Sequence, residues 1–220
     1  MLYIVSTPIG NLKDITLRAL EVLKEADIVF AEDTRKAAIL FKRYAICRPL
    51  LSFHEHNKAF RTKKALTLLK EGKKLALISE AGTPGISDPG FYLVRACIQE
   101  SISFTAIPGP SAVVNALILS GLPTDSFYFA GFLPSKKGRR KRRLKELSSL
   151  STTLIFFESP HRIISSLQDI KEWFARKQIA VVREMTKVYE EVIRGIPEDV
   201  LLRLQSKHLR GEFVIVIDNR

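Results

Sequence analysis

Four short segments concentrate glycine, proline and small polar residues directly behind apolar, β-branched runs. They are Ser6-Thr7-Pro8-Ile9-Gly10-Asn11, Ala31-Glu32-Asp33-Thr34-Arg35, residues 79–90 (SEAGTPGISDPG) and Ile107-Pro108-Gly109-Pro110-Ser111-Ala112. Glycine and proline fix backbone shape with little bulk, so N–H and C=O groups can come close to a ligand. One such segment is an ordinary turn. Four behind successive strands of a parallel sheet gather on its carboxyl edge, where open α/β proteins bind ligands. The segment at 79–90 is also longer than a turn needs. Familiar nucleotide-binding devices are missing: no two of the eleven glycines are separated by a single residue, and neither GxxxxGK[ST] nor GxSxG occurs. His54, His56, His161 and His208 supply only one HxH pair, so no metal site is expected.

A second feature is electrostatic. The 220 residues carry 35 Lys and Arg against 23 Asp and Glu, a net +12. Lys136, Lys137, Arg139, Arg140, Lys141, Arg142, Arg143 and Lys145 place eight of those cations within ten residues, and without them the chain carries +4. A nearly balanced body with one cationic segment is the footprint expected of a protein that meets a nucleic-acid backbone. The alternative is a solvated helix face, on which Leu144 and Leu147 form a thin apolar stripe. The run contains no aromatic residue on which a base could stack.

The elements that must position these groups follow from periodicity. Strands are predicted at 2–6, 28–31, 75–79 and 103–107, with a weaker one at 50–53; helices are predicted at 16–25, 34–43, 57–71 and 91–100. Asp33 and Asn57 are placed as helix N-caps. This alternation predicts an α/β domain with a largely parallel sheet. After the turn chemistry of residues 108–111 come a short apolar helix at 112–120 and strands at 127–132, 152–157, 179–183, 189–194 and 212–218. Helices at 139–150, 161–174 and 198–206 lie among them. Closer strand spacing predicts a second α/β domain with a mixed sheet and helices. The expected division is 1–115 and 116–220, with a cleft between the halves.

With 46% hydrophobic residues and two cysteines, Cys47 and Cys97, the chain is expected to build a real core without a disulfide framework. No apolar stretch reaches the roughly 18 residues of a membrane span. The sequence opens on a strand pattern rather than a leader, so a soluble cytoplasmic protein is expected.

The motifs STPIGNL (6–12), AEDTR (31–35), SFHEHN (52–57), SEAGTPGISDPG (79–90), IPGPSAVVNAL (107–117), GFLP (131–134), ESPHR (158–162) and GEFVIVI (211–217) occur in that order along the chain. Together they closely resemble the ribosomal RNA small subunit methyltransferase I group of the tetrapyrrole methylase superfamily. The resemblance implies a two-domain homodimeric enzyme that uses S-adenosylmethionine. It also implies methylation of the 2′-hydroxyl of a cytidine ribose in 16S ribosomal RNA, free or in the assembled small subunit. By likeness, the cofactor is expected at Pro8, Glu80, Ala81, Gly82, Thr83, Ser111, Ala112, Phe129, Ala130 and Gly131. Glu80 and Met185 depart from the Asp and Leu usual in the family, and many relatives extend beyond the last strand. The superfamily also holds C-methyltransferases of tetrapyrroles, and an idle RNA-binding assembly factor is a third reading; the cationic run argues against the tetrapyrrole.

Transfer from a sulfonium to a hydroxyl is an in-line displacement that gains from alignment and from a base for the hydroxyl proton. His54 is the first candidate, because imidazole titrates near neutrality; Asp33, Glu158 and Glu184 are the others. Arg35 and Lys187 are expected to join Lys136, Lys137, Arg139, Arg140, Lys141, Arg142 and Arg143 in holding RNA. Asp88 is expected to shape the 79–90 loop through Asx-type bonds.

Overall fold

The runs of the first half fold as β1 (Leu2–Val5), α1 (Leu17–Glu25), β2 (Ile28–Ala31), α2 (Thr34–Arg43), β3 (Leu50–Ser52), α3 (Lys58–Lys70), β4 (Leu75–Ile78), α4 (Gly90–Gln99) and β5 (Phe104–Ile107). The computed structural model describes residues 1–206 and 208–220. Five strands form a wholly parallel sheet in the order β3-β2-β4-β1-β5. β4 reads Leu-Ala-Leu-Ile with every residue buried, as a central strand covered on both faces must be. Thr16 caps α1 by accepting from the Ala19 N–H at 3.2 Å. Asp33 caps α2 as expected, accepting from the Arg35 and Lys36 N–H groups. Asn57 stands at the N-terminus of α3 but makes no side-chain cap bond; its amide turns back toward β3 instead.

Two apolar layers sandwich this sheet. Ala19, Leu23, Ala37, Leu40 and Phe41 of α1 and α2 pack against Val5, Val29, Ala31, Ala76 and Ile78. Ala65, Leu69, Leu93 and Cys97 of α3 and α4 pack against Leu2, Ile4, Phe30, Leu75 and Leu77. Alternate residues of each strand thus feed opposite layers.

The chain divides into Met1–Ser111 and Ala112–Arg220, so residues 112–115, assigned to the first half on sequence, fall with the second. That second unit contains α5 (Ala112–Ser120), β6 (Phe127–Phe132), α6 (Lys137–Ser148), β7 (Thr153–Glu158), α7 (Ile163–Phe174), β8 (Ile179–Arg183), β9 (Glu191–Gly195), α8 (Pro197–Gln205) and β10 (Phe213–Asp218). Its sheet is mixed, in the order β6-β7-β10-β8-β9: β6 and β7 are parallel and the other pairs antiparallel. Leu144, Leu147, Ile163, Leu167, Ile170, Phe174, Val200 and Leu204 of α6, α7 and α8 cover one face, against Leu154, Phe156, Val181, Ile215 and Ile217. α5 packs on β8 and β10. No helix among the described residues is long and apolar enough to cross a membrane.

Candidate functional site

In the first sheet the connections β1→β2 and β2→β3 step toward the β3 edge, whereas β3→β4 and β4→β5 step back. Right-handed crossovers then place α1 and α2 on one face and α3 and α4 on the other, as the two apolar layers show. The neighbours β1 and β4 therefore send their following chain to opposite faces. That is the switch point at which α/β sheets open a crevice.

Loops after β1, β4 and β5 meet there. Thr7 and Gly82 exchange backbone bonds, N–H to carbonyl, at 2.9 and 3.0 Å. The Ser6 and Thr83 hydroxyls lie 3.0 Å apart, and Thr83 Oγ1 donates to the Pro110 carbonyl at 3.4 Å. Gly109 packs on Ser6 so tightly that a β-carbon would sit 2.9 Å from Ser6 Cβ. Thr7 is 4% exposed, and its Oγ1 is buried without a hydrogen-bond partner among the described residues, an unmet capacity of the kind that a bound ligand fills. Pro8, Glu80, Ala81, Gly82, Thr83 and Ser111 thus belong to one loop cluster, with Ser111 closing the first unit. The 79–90 loop takes its shape from Asp88, whose Oδ1 accepts from the Gly85 and Gly90 N–H groups at 2.8 and 2.7 Å. Ala112 opens α5 and Phe129, Ala130 and Gly131 lie in β6, all in the second unit.

Beside the cluster sits a carboxylate that sequence reasoning passed over. Glu32 Oε2 accepts from the Glu80 N–H at 3.3 Å, while the Glu80 carboxylate pairs with Lys36 of α2. Burial pushes the Glu32 carboxyl above its ordinary value. The Glu80 N–H offsets part of that effect, and the charges of Asp88 and Glu80 add to it. The AEDTR motif holds Glu32, but only the fold brings it to the Glu80 backbone.

The candidate bases fare differently. Asp33 is engaged locally: Arg35 donates to both its oxygens, at 3.2 Å from Nε and 2.8 Å from Nη2, and holds its carboxyl well below the usual range. Its lone pairs are committed to Arg35 and to the cap, while the Arg35 side chain, paired with Asp33, remains 90% exposed to solvent. Glu158 is a correction. It is 2% exposed, accepting from the Ser159 N–H at 2.8 Å and the Ser166 hydroxyl at 2.6 Å, with Arg162 Nη2 at 2.6 Å; it ties α7 to β7 and presents nothing to a substrate. For Glu184, burial alone would raise the carboxyl, but Lys187 at 2.9 Å and the Glu212 N–H at 3.2 Å outweigh burial and hold it low. Lys187 is in turn shared between Glu184 and Glu212, which removes it from the set of open cations. His54 is fixed by Asn57. Asn57 Oδ1 accepts from the His54 N–H at 2.8 Å, so Asn57 Nδ2 donates to Ser52 Oγ and faces His54 Nε2 at 3.1 Å. The basic nitrogen of a neutral ring is thereby occupied, and Nδ1 is buried without a partner among the described residues.

The cationic run forms α6, and the helix sorts it. Arg140, Leu144 and Leu147 recur at helical spacing on the buried face. Arg140 is a correction to its assignment as an RNA contact: it is 4% exposed and paired with Asp169 at 2.6 Å. Lys141 bonds Glu172, and Arg143 bonds Glu146 and the Tyr128 hydroxyl. Lys136, Lys137, Arg139 and Arg142 are exposed and have no ion pair among the described residues. No group of three His, Cys, Asp or Glu side chains that could hold a metal occurs among the described residues.

Comparison with known proteins follows the same lines. The chain is 47% identical over 219 residues to the ribosomal RNA small subunit methyltransferase I of Thermotoga maritima, covering 100% of this chain and 98% of that one. It is 46% identical over 217 residues to the protein of the same name from Halalkalibacterium halodurans, covering 99% and 75%. Among solved structures, uroporphyrin-III-C-methyltransferase from Thermus thermophilus matches with a TM-score of 0.68 at 22% identity, covering 99% of this chain and 94% of that one. The methyltransferase CobJ matches at 0.72 and 17%, covering 98% and 92%; at such identities the likeness is one of fold. Residues 1–200 match the tetrapyrrole (corrin/porphyrin) methylases, and with this full-length identity the chain belongs to that family, in the branch whose members are named ribosomal RNA small subunit methyltransferase I.

Proposed function

We propose that the protein transfers a methyl group from S-adenosylmethionine to the 2′-hydroxyl of a cytidine ribose in small-subunit ribosomal RNA. The observation that carries this reading is identity of 47% along the whole chain to a protein named for that RNA. The loop cluster and the open cations of α6 support it. The cluster fits the cofactor: small residues bring three loops within van der Waals reach, and the buried Thr7 hydroxyl has no hydrogen-bond partner among the described residues. Pro8, Ala81, Gly82, Thr83 and Ser111 would line it.

The bound cofactor would supply an electrophilic methyl group with a neutral leaving sulfur. The chain's own part is alignment of the ribose hydroxyl, worth several kcal/mol when the attack geometry is fixed in advance. A proton must also leave that hydroxyl. Asp33, Glu158 and Glu184 are committed elsewhere and Asn57 occupies His54 Nε2, so we place the acceptor at Glu32, whose raised carboxyl suits the task. Lys136, Lys137, Arg139 and Arg142 would hold phosphates and fix the register of the RNA.

The test is tritium transfer from labelled cofactor to unmethylated small subunits, to naked ribosomal RNA and to a tetrapyrrole, with the labelled nucleoside identified after digestion. Label on the 2′-oxygen of cytidine is expected. Label on a base, or on the tetrapyrrole alone, would overturn the reading.

A further inference from the structure

The cationic run carries no aromatic residue, but the fold supplies them from another element. β6 is an edge strand, and Phe127, Tyr128 and Phe132 along it are 44%, 40% and 55% exposed. Large aromatic side chains left open in a row on a sheet edge call for a partner. Strand alternation puts Phe127 and Phe129 on one face and Tyr128 on the other. A bulge between Phe129 and Phe132, with Gly131 at φ +67°, shifts the register. Phe132 consequently returns to the side of Phe129, and both rings meet Phe157 edge-on, at 4.8 and 5.6 Å between centroids. On the helix-bearing face, the Tyr128 hydroxyl bonds Arg143 of α6 at 3.0 Å, and the guanidinium lies 5.9 Å from the ring centroid. This contact joins the aromatic edge to the helix that carries Arg139 and Arg142, exposed and without an ion pair among the described residues.

We infer that this edge of the second unit is a binding surface for single-stranded RNA. The RNA strand wraps the open edge of β6: bases stack on Tyr128 on the face that carries α6, where Lys136, Lys137, Arg139 and Arg142 follow the phosphates, and on Phe127 and Phe132 once the chain has crossed to the other face. The charge decides the occupant: four open cations beside open rings complement a polyanion with exposed π-faces. Strandedness follows from the rings, because bases already stacked in a duplex are unavailable to them. The inference rests on ribosomal RNA being the substrate and adds that the enzyme meets it as unpaired nucleotides.

The experiment is fluorescence anisotropy of the full chain with a labelled 12-nucleotide RNA, single-stranded or annealed to its complement, over a range of salt. The single strand is expected to bind at least tenfold tighter than the duplex. Tyr128→Leu and Phe132→Leu, checked for folding by circular dichroism, are each expected to weaken single-strand binding about fivefold or more without changing the salt slope. Equal affinity for both RNAs, or Leu variants that bind like the parent, would overturn the inference. So would a Phe132→Leu variant whose light-scattering mass falls while its RNA affinity stays, which would assign the edge to a second copy of the chain. Binding is read without cofactor or transfer, so a failed methylation assay with selective binding intact would sink the proposed reaction and leave this surface standing.

Discussion

Asn57 grips His54 twice: its Oδ1 accepts from the His54 backbone N–H at 2.8 Å, and its Nδ2 lies 3.1 Å from His54 Nε2. An amide oriented by the first contact must donate in the second, so the imidazole shapes the turn between β3 and α3. His54→Ala is expected to lower turnover less than about tenfold and to leave the pH profile unchanged, whereas loss of a general base costs about a hundredfold or more. A pH–rate series on the parent and the variant decides it. Disappearance of a titrating limb in the variant would return His54 to the role of base.

Glu32 carries the opposite expectation. Its carboxyl titrates above the ordinary 4.5 because it is partly buried among carboxylates. Transfer should therefore fall as the pH drops through that raised value and protonates the acceptor. Glu32→Gln should lower turnover about a hundredfold and remove that limb. The stability effect has a definite sign: a carboxyl raised in the folded state opposes folding when ionised and ceases to do so once protonated. Glu32→Gln should thus hold or raise the melting temperature at neutral pH, with the gain vanishing in acid; a lower melting temperature at neutral pH would contradict the placement.

Arg140 and Arg142 stand two residues apart on α6 with different work. Removing Arg140 strands the buried Asp169 carboxylate, so Arg140→Ala should cost about 3–5 kcal/mol in urea unfolding. Arg142→Ala should leave stability within about 0.5 kcal/mol and reduce the salt slope of RNA binding by about 0.7. Exchanged outcomes would mean that the helix presents its other face.

Gly109 has no room for a side chain, since a β-carbon would lie 2.9 Å from Ser6 Cβ. Gly109→Ala should cost about 1–3 kcal/mol of stability through overpacking and weaken cofactor binding by parting the loops after β1 and β5. Calorimetry with S-adenosylmethionine measures the second effect, and unaltered affinity would remove this contact from the site.

Most of the element plan and the loop cluster were legible because their signals are local. Alternation at 2–6 and 75–79, helical spacing at 34–43 and the Gly-Pro chemistry of 79–90 and 107–112 each involve neighbours in sequence. A parallel sheet then forces those loops onto one edge. The resemblance rested on the same contiguous motifs.

What the tertiary structure decided was the fate of each charge. Arg140 and Arg142 are alike in composition, and only the packing of α6 on α7 buries one against Asp169 while the other stays in solvent. Glu158 looks like an acid–base candidate until Ser166 of α7 claims its lone pair, and Glu32 becomes one only beside the Glu80 backbone. Tyr128 meets Arg143 across 15 residues of chain. Secondary structure is encoded by period and turn chemistry over a few residues, but the protonation and availability of a side chain depend on burial and on partners brought from distant segments.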